Sequence, residues 1–91
     1  MRFVVLSRLT EEGAKTIRER PNRIKEVNQE LRNMGVNVLE QYAVLGEYDF
    51  ISIVEAENSK VLAKAMLELT SRGTVKTISM PAIPVDEFIE S

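Results

Sequence analysis

The 91-residue sequence contains no cysteine, no histidine and no tryptophan, and these absences restrict its chemistry. Without cysteine there is no disulfide, thiolate nucleophile or zinc–thiolate site, and without histidine the commonest metal ligand and general base is missing. Catalysis would have to rely on carboxylates, tyrosine, lysine, serine or threonine. We therefore expect no metal ion and no cofactor, and most catalytic mechanisms are excluded.

Long apolar runs are also absent, since no segment approaches the roughly 20 apolar residues that span a bilayer. The apolar start of the chain, residues 3–6, is too short for a signal peptide and is typical of a strand instead. We expect a cytoplasmic protein without a membrane partner. The length suits one domain over residues 1–91, which buries little surface by itself and would gain from self-association.

A basic cluster surrounds Pro21 and comprises Arg18, Arg20, Arg23 and Lys25. Two interpretations are open, a phosphate-binding bend and a solvated junction between helices. The second is favoured because no aromatic side chain interleaves with the cluster and the whole chain carries a net charge of −2. We therefore expect no nucleic-acid partner.

The spacing of apolar residues, glycines and prolines predicts eight segments. These are a strand over 2–9, helices over 11–19 and 21–34, strands over 36–45 and 48–56, a helix to about 71, a strand from 74 to about 80, and a tail over 81–91. Pro81 and Pro84 should end the last strand, and the tail should dock through Phe88 and Ile89 or fray. This order predicts an α+β, ferredoxin-like βαββαβ fold with a four-stranded antiparallel sheet in the order 4-1-3-2.

A two-residue hairpin at Gly46 and Glu47 is the most informative local prediction, because Gly46 can adopt a positive φ without strain. It pairs Leu45 with Tyr48, Val44 with Asp49, Tyr42 with Ile51, Glu40 with Ile53, and Val38 with Glu55. The helix side of this hairpin should then carry Leu39, Gln41, Ala43, Leu45, Tyr48, Phe50, Ser52 and Val54. Asp49 and Tyr42 should point away from the helices.

The first strand can be aligned with the strand after the hairpin by its charges. Placing Arg8 opposite Asp49 also places Arg2 opposite Glu55, which gives two opposite-charge pairs in one register. The helix-free face then has an apolar centre made of Val4, Leu6, Ile51 and Ile53. Because such a patch usually marks an association surface, we expect a second copy to pack on it and close a dimeric α/β barrel.

Arg8, Tyr42 and Asp49 form the candidate ligand-binding site at the edge of this face. In one interpretation they form a polar pocket at the mouth of the barrel, where Arg8 holds an anionic ligand, Asp49 is an acceptor or base and Tyr42 is a hydrogen-bonding or acid group. For a binding module we expect a small acidic or aromatic ligand, in a pocket between the sheet and the helices or at the dimer seam near Asp49. In the other interpretation, the three residues form a structural network that locks the hairpin and the dimer. Glu40, Glu47 and Glu55 match no calcium-loop pattern, so no metal site is expected.

Several segments of the chain together resemble the GYD domain family. They are Leu9 to Ile17, Pro21 with Arg23, Leu45 to Ala56, and Gly73-x-Val75-x-Thr77. The resemblance implies a ferredoxin-like, dimeric α/β-barrel protein of unknown biochemical function. Residues 45–80 are similar, more loosely, to the ligand-sensing domain of leucine-responsive and asparagine-type regulators.

The functional prediction is a non-catalytic, homo-oligomeric module that binds a small molecule or has a regulatory role. The missing histidine and cysteine motivate it. The alternative is a cofactor-independent monooxygenase or isomerase of the dimeric-barrel kind, with Asp49 and Tyr42 as its acid–base pair.

Overall fold

A computed structural model describes residues 1–90 of the chain. Its elements, in chain order, are β1 (Arg2–Leu9), α1 (Glu11–Glu19), α2 (Arg23–Asn33), β2 (Asn37–Ala43), β3 (Phe50–Glu55), α3 (Ser59–Thr70), β4 (Val75–Ala82) and α4 (Val85–Ile89). The predicted order of strands and helices is confirmed, and α4 is a short addition in the tail.

The four strands form one antiparallel sheet in the order β2-β3-β1-β4. Alternate residues of the central strands, Phe3, Val5 and Val54, are buried in one hydrophobic cluster with Leu31 and Leu62 from the helices. The helices therefore cover one face of the sheet. This arrangement confirms the predicted α+β, ferredoxin-like fold and its strand order.

Local signals in the sequence explain where the helices begin and end. The Thr10 hydroxyl accepts a hydrogen bond from the Gly13 N–H at 3.2 Å, and the Asn58 side chain accepts one from the Val61 N–H at 2.9 Å. Both are N-caps, which satisfy backbone donors that the first turn leaves unpaired. Beyond α2 the backbone turns at Gly35, whose φ of 92° favours glycine.

The first helix lies unusually close to the start of β4. A Cβ atom on Gly13 would be 2.0 Å from the carbonyl oxygen of Thr74. The Thr10 N–H donates to the same oxygen at 3.0 Å, and the Thr10 hydroxyl donates to the carbonyl of Gly73 at 2.8 Å. Gly13 is thus needed for close backbone approach, and α1 is fastened to β4 at this point.

The register between β1 and β3 is as predicted, with Arg2 opposite Glu55 and Leu6 opposite Ile51. Between β2 and β3 the prediction is correct from Glu40 to Ala43 and wrong before it. A register shift between Val38 and Glu40 places Val38 opposite Val54 instead of Glu55. Such a bulge inserts one extra residue, so Val38 packs against the core and Leu39 is exposed.

The prediction of a two-residue hairpin at Gly46 and Glu47 is also wrong in detail. The ladder ends at Ala43 and Phe50, and a hydrogen bond from the Val44 N–H to the Asp49 carbonyl closes a longer connection. Gly46 does have a positive φ, 118°, as expected. Leu45, expected on the helix side, lies beyond the end of the ladder and is fully exposed.

The last strand continues through Pro81 to Ala82, beyond its predicted end near Met80. Proline is tolerated there because β4 is an edge strand and pairs on one side only. The side chains of Phe88 and Ile89 are 75% and 73% exposed, so they do not dock on the chain's own core. Ser91, the end of the predicted tail, lies outside the described residues.

Candidate functional site

The sheet face opposite the helices carries a continuous set of apolar side chains, which we call the open face. It comprises Val4, Leu6, Ile51, Ile53, Ile78 and Met80, with Tyr42 at its side. Ile78 and Met80 lie opposite Leu6 and Val4 on β4 and are 49% and 41% exposed. The sequence prediction contained the first four residues and lacked the two from β4, because it did not align β4 with β1.

Charged residues border the open face at both ends. Arg2 and Glu55 form the predicted ion pair, with 3.7 Å between Nη2 and Oε2. At the other end Arg8 binds Glu47, not Asp49. Its Nη2 lies 2.8 Å from the Glu47 carboxylate, and its Nε donates to the Glu47 carbonyl at 2.9 Å. Arg8 therefore anchors the connection between β2 and β3.

Asp49 lies at the end of the sheet and has a backbone partner. Its Oδ2 accepts a hydrogen bond from the Leu9 N–H at 2.8 Å, and its own N–H donates to the Ser7 carbonyl at 2.8 Å. The carboxylate thus extends the pairing of β1 with β3 past the last residue of the ladder. This is a structural role for Asp49.

The two tyrosines occupy different surroundings from each other. The Tyr42 hydroxyl is 3.5 Å from the Glu40 carboxylate on the same strand. The guanidinium carbon of Arg8 lies 5.4 Å from the centre of the Tyr48 ring, in a cation–π arrangement. Arg8, Tyr42 and Asp49 therefore have three different hydrogen-bonding partners, and they are not hydrogen-bonded to one another.

A cavity of about 330 Å³ lies on the other side of the sheet, between the strands and helices α1 to α3. Its walls are mainly apolar and include Val5, Leu9, Ile17, Ile24, Val27, Leu31, Val38, Phe50, Val54, Met66, Leu69 and Val75. Its volume falls at the lower end of the range for ligand pockets. A pocket between sheet and helices was expected from the sequence only in general terms, because a cavity depends on how far apart the elements pack.

A short chain of polar side chains crosses one wall of this cavity. The Asn28 amide donates to Gln41 Oε1 at 2.8 Å, and the Gln41 amide donates to the hydroxyl of the buried Ser52 at 3.1 Å. These bonds satisfy the polar atoms that face the interior. They also join α2 to the two strands beneath it.

Two arginines contribute the charged part of the cavity lining. Arg23 binds Glu30 and Glu26, with Nη1–Oε distances of 2.8 and 3.2 Å, and Arg72 binds Glu30 and Glu68. The hydrogen bond from Arg72, aided by that from Arg23, lowers the pKa of Glu30. Glu30 is therefore ionised at neutral pH and joins α2 to the end of α3.

Within residues 1–90, no three acidic side chains are close enough together to hold a metal ion. In the same part of the chain, no helix has the length and apolar character required to cross a bilayer.

Comparison with solved structures supports the fold. The chain superimposes on MtbAldR with a TM-score of 0.69 at 21% identity, over 91% of this chain and 51% of that one. It therefore spans about half the length of MtbAldR. A Thermus thermophilus protein, TTHA0845, gives a TM-score of 0.50 at 23% identity, over 91% of this chain and 96% of that one. At these identities the similarity concerns the fold alone.

Sequence comparisons are more specific. A curated protein of Thermus thermophilus, named glutamine synthetase and cystathionine beta-lyase binding protein, is 59% identical over 88 residues. The match covers 96% of this chain and 93% of that protein. The GYD domain model matches residues 3–91, which confirms the resemblance drawn from the sequence. The chain therefore belongs to the GYD domain family.

Proposed function

We propose that this single-domain protein is a non-catalytic, cytoplasmic regulatory module that associates with itself through the open face and binds other proteins. The observation that carries the proposal is the row of apolar side chains on that face. Exposed contiguous apolar surface is rare on a monomeric protein and usually marks an association site. The opposite charges of Arg2 and Glu55 at its border would fix the orientation of a second copy.

The proposed partners are enzymes, and this part of the proposal comes from similarity. The relative that is 59% identical is named for binding glutamine synthetase and cystathionine β-lyase. We propose that the present chain binds enzymes of the same two kinds. A small domain that has no catalytic residues of its own and binds enzymes would act by changing the activity or assembly of those enzymes.

The acid–base alternative, a monooxygenase or isomerase, receives less support from the geometry. Asp49 binds the Leu9 N–H, whereas the Tyr42 hydroxyl faces Glu40, so the two groups do not act on a common proton here. A ligand at Arg8, Tyr42 and Asp49 stays a prediction. Arg8 holds Glu47 through Nε and Nη2, so such a ligand would either bind at Nη1 or displace Glu47.

Light scattering coupled to size exclusion tests self-association at micromolar concentration. We expect a mass of twice the 10.3 kDa chain or more for the wild type. Ile53→Glu places a charge in the centre of the open face and should give monomers. Leu45→Glu, a matched change at an exposed apolar residue outside that face, should leave the assembly intact.

A wild-type mass of 10.3 kDa would contradict the proposed self-association, and so would a folded Ile53→Glu variant that keeps its wild-type mass. Circular dichroism establishes that each variant is folded. Partner binding is tested with purified glutamine synthetase and purified cystathionine β-lyase from the same source, immobilised separately. Failure to bind either enzyme would contradict the proposed partners.

A further inference from the structure

We infer that the cavity between the sheet and helices α1 to α3 binds a small monocarboxylic acid with an apolar body. The carboxylate would be held by Arg23 and Arg72. The inference rests on the proposed role as a binding module, but it does not depend on self-association. It concerns the side of the sheet opposite the open face.

The size and lining of the cavity argue for a compact apolar body. Its volume is about 330 Å³, and residues from helices α1 to α3 and from all four strands line it. Val5, Val54 and Met66 are buried at this site, so an apolar group that enters contacts preformed walls. Burial of an apolar group in such a site is favourable because it removes apolar surface from water.

The charged part of the lining argues for a carboxylate. The side chains of Arg23 and Arg72 are 29% and 31% exposed, so they lie where the cavity meets solvent. Their hydrogen bonds to residues 1–90 use Nη1 of Arg23, and Nη1 and Nε of Arg72. The Nη2 group of each arginine is therefore available as a donor, and arginine is well suited to bind a planar carboxylate.

The absence of an acidic group from the lining narrows the ligand class further. Among the described residues that line the cavity, none is aspartate or glutamate. Glu30 lies outside the lining and is already bound by both arginines, so an ammonium group inside the cavity would have no acidic side chain of the lining to pair with. The geometry therefore favours a carboxylic acid without an amino group over an amino acid. Ser7 and Ser52 offer hydroxyls to a second polar atom of the ligand, such as an oxo group.

Nuclear magnetic resonance titration of the full chain with phenylacetate tests the inference. We expect saturable shifts of backbone amide signals around the cavity, at Val5, Val27 and Ser52. Phenylacetamide, which has the same shape without the charge, should bind at least about tenfold more weakly, because it cannot form charge-assisted hydrogen bonds with both arginines as a carboxylate can. Phenylalanine, which adds an ammonium group, should also bind more weakly than phenylacetate.

Variants test whether phenylacetate binds in the cavity or elsewhere on the protein surface. Arg72→Gln and Arg23→Gln should each weaken phenylacetate binding about tenfold. Arg32→Gln, an exposed arginine of α2 outside the lining, is the matched control and should bind as the wild type does. Ile24→Trp should fill the cavity and abolish the shifts. If Ile24→Trp does not fold, the two arginine variants still decide the outcome.

Three results would overturn the inference. They are the absence of saturable shifts at the cavity, equal affinity for phenylacetate and phenylacetamide, and unchanged affinity in both arginine variants. Light scattering on the same samples distinguishes the two proposals. A dimer whose amide signals at the cavity do not shift with phenylacetate contradicts this inference alone. A monomer that binds phenylacetate contradicts the proposed self-association alone.

Discussion

Asp49 accepts a hydrogen bond from the backbone N–H of Leu9, with 2.8 Å between Oδ2 and N. The two residues are 40 positions apart in sequence, and the bond ties the end of β1 to the segment that precedes β3. The carboxylate replaces the backbone acceptor that the ladder no longer supplies at this position. Asp49 is thus a structural residue of the sheet.

Asp49→Ala should lower the free energy of unfolding by about 1–3 kcal/mol, because a part-buried N–H is left without its acceptor. Asp49→Asn should lower the free energy of unfolding by less, since the asparagine amide oxygen can accept the same hydrogen bond. Urea unfolding measures both effects. Wild-type stability in Asp49→Ala would contradict the assigned role.

Gly13→Ala should destabilise the protein although alanine favours helices. Its Cβ would lie 2.0 Å from the Thr74 carbonyl oxygen, so α1 or the start of β4 must move. Overpacking of this kind typically costs about 1–3 kcal/mol, more than the gain of up to about 1 kcal/mol in helix propensity. Thermal unfolding should show a lower midpoint. Lys15→Ala, at an exposed position of the same helix, should change stability by less than about 0.5 kcal/mol.

Acid should remove the stabilising contribution of Glu30. Its pKa is lowered in the folded protein by hydrogen bonds from Arg72 and Arg23. A lowered pKa means that the contribution is present above the unfolded pKa and is lost as pH falls through the folded value. Urea unfolding between pH 7 and pH 3 should therefore show a steeper decline for the wild type than for Glu30→Gln. Glu57→Gln, at an exposed carboxylate, should decline as the wild type does.

The Arg8–Glu47 ion pair should contribute little by itself, despite its 2.8 Å separation. Both side chains are half-exposed or more, and exposed pairs usually contribute less than about 1 kcal/mol. A double-mutant cycle with Arg8→Ala and Glu47→Ala measures the coupling energy, which should fall further at 1 M salt. A coupling above about 2 kcal/mol would show that this pair is structurally essential.

Local signals explain why most of the fold could be predicted. The cap at Thr10, the cap at Asn58 and the glycines after the helices are read from a few neighbouring residues. The register of β1 on β3 followed from two charge pairs, of which only Arg2 with Glu55 exists. The bulge near Leu39 was missed because one extra residue changes the pleat without a clear sequence signal.

The candidate sites were harder to predict from the sequence than the fold was. An ideal hairpin places Tyr42 near Asp49, and the register of β1 on β3 places Arg8 opposite Asp49. The real connection between β2 and β3 instead brings Glu47 to Arg8. Ile78 and Met80 belong to the open face only once β4 is aligned with β1. These are long-range relations, which sequence spacing does not specify.

The sequence by itself determined the element order, the helix ends and the apolar alternation of the central strands, because each depends on backbone preferences and periodicity within a few residues. It also excluded histidine and cysteine chemistry. Only the tertiary structure decided that Asp49 serves the backbone of Leu9 and that Glu30 joins two arginines. It alone revealed the cavity of about 330 Å³, since the space between packed elements depends on their distances and angles.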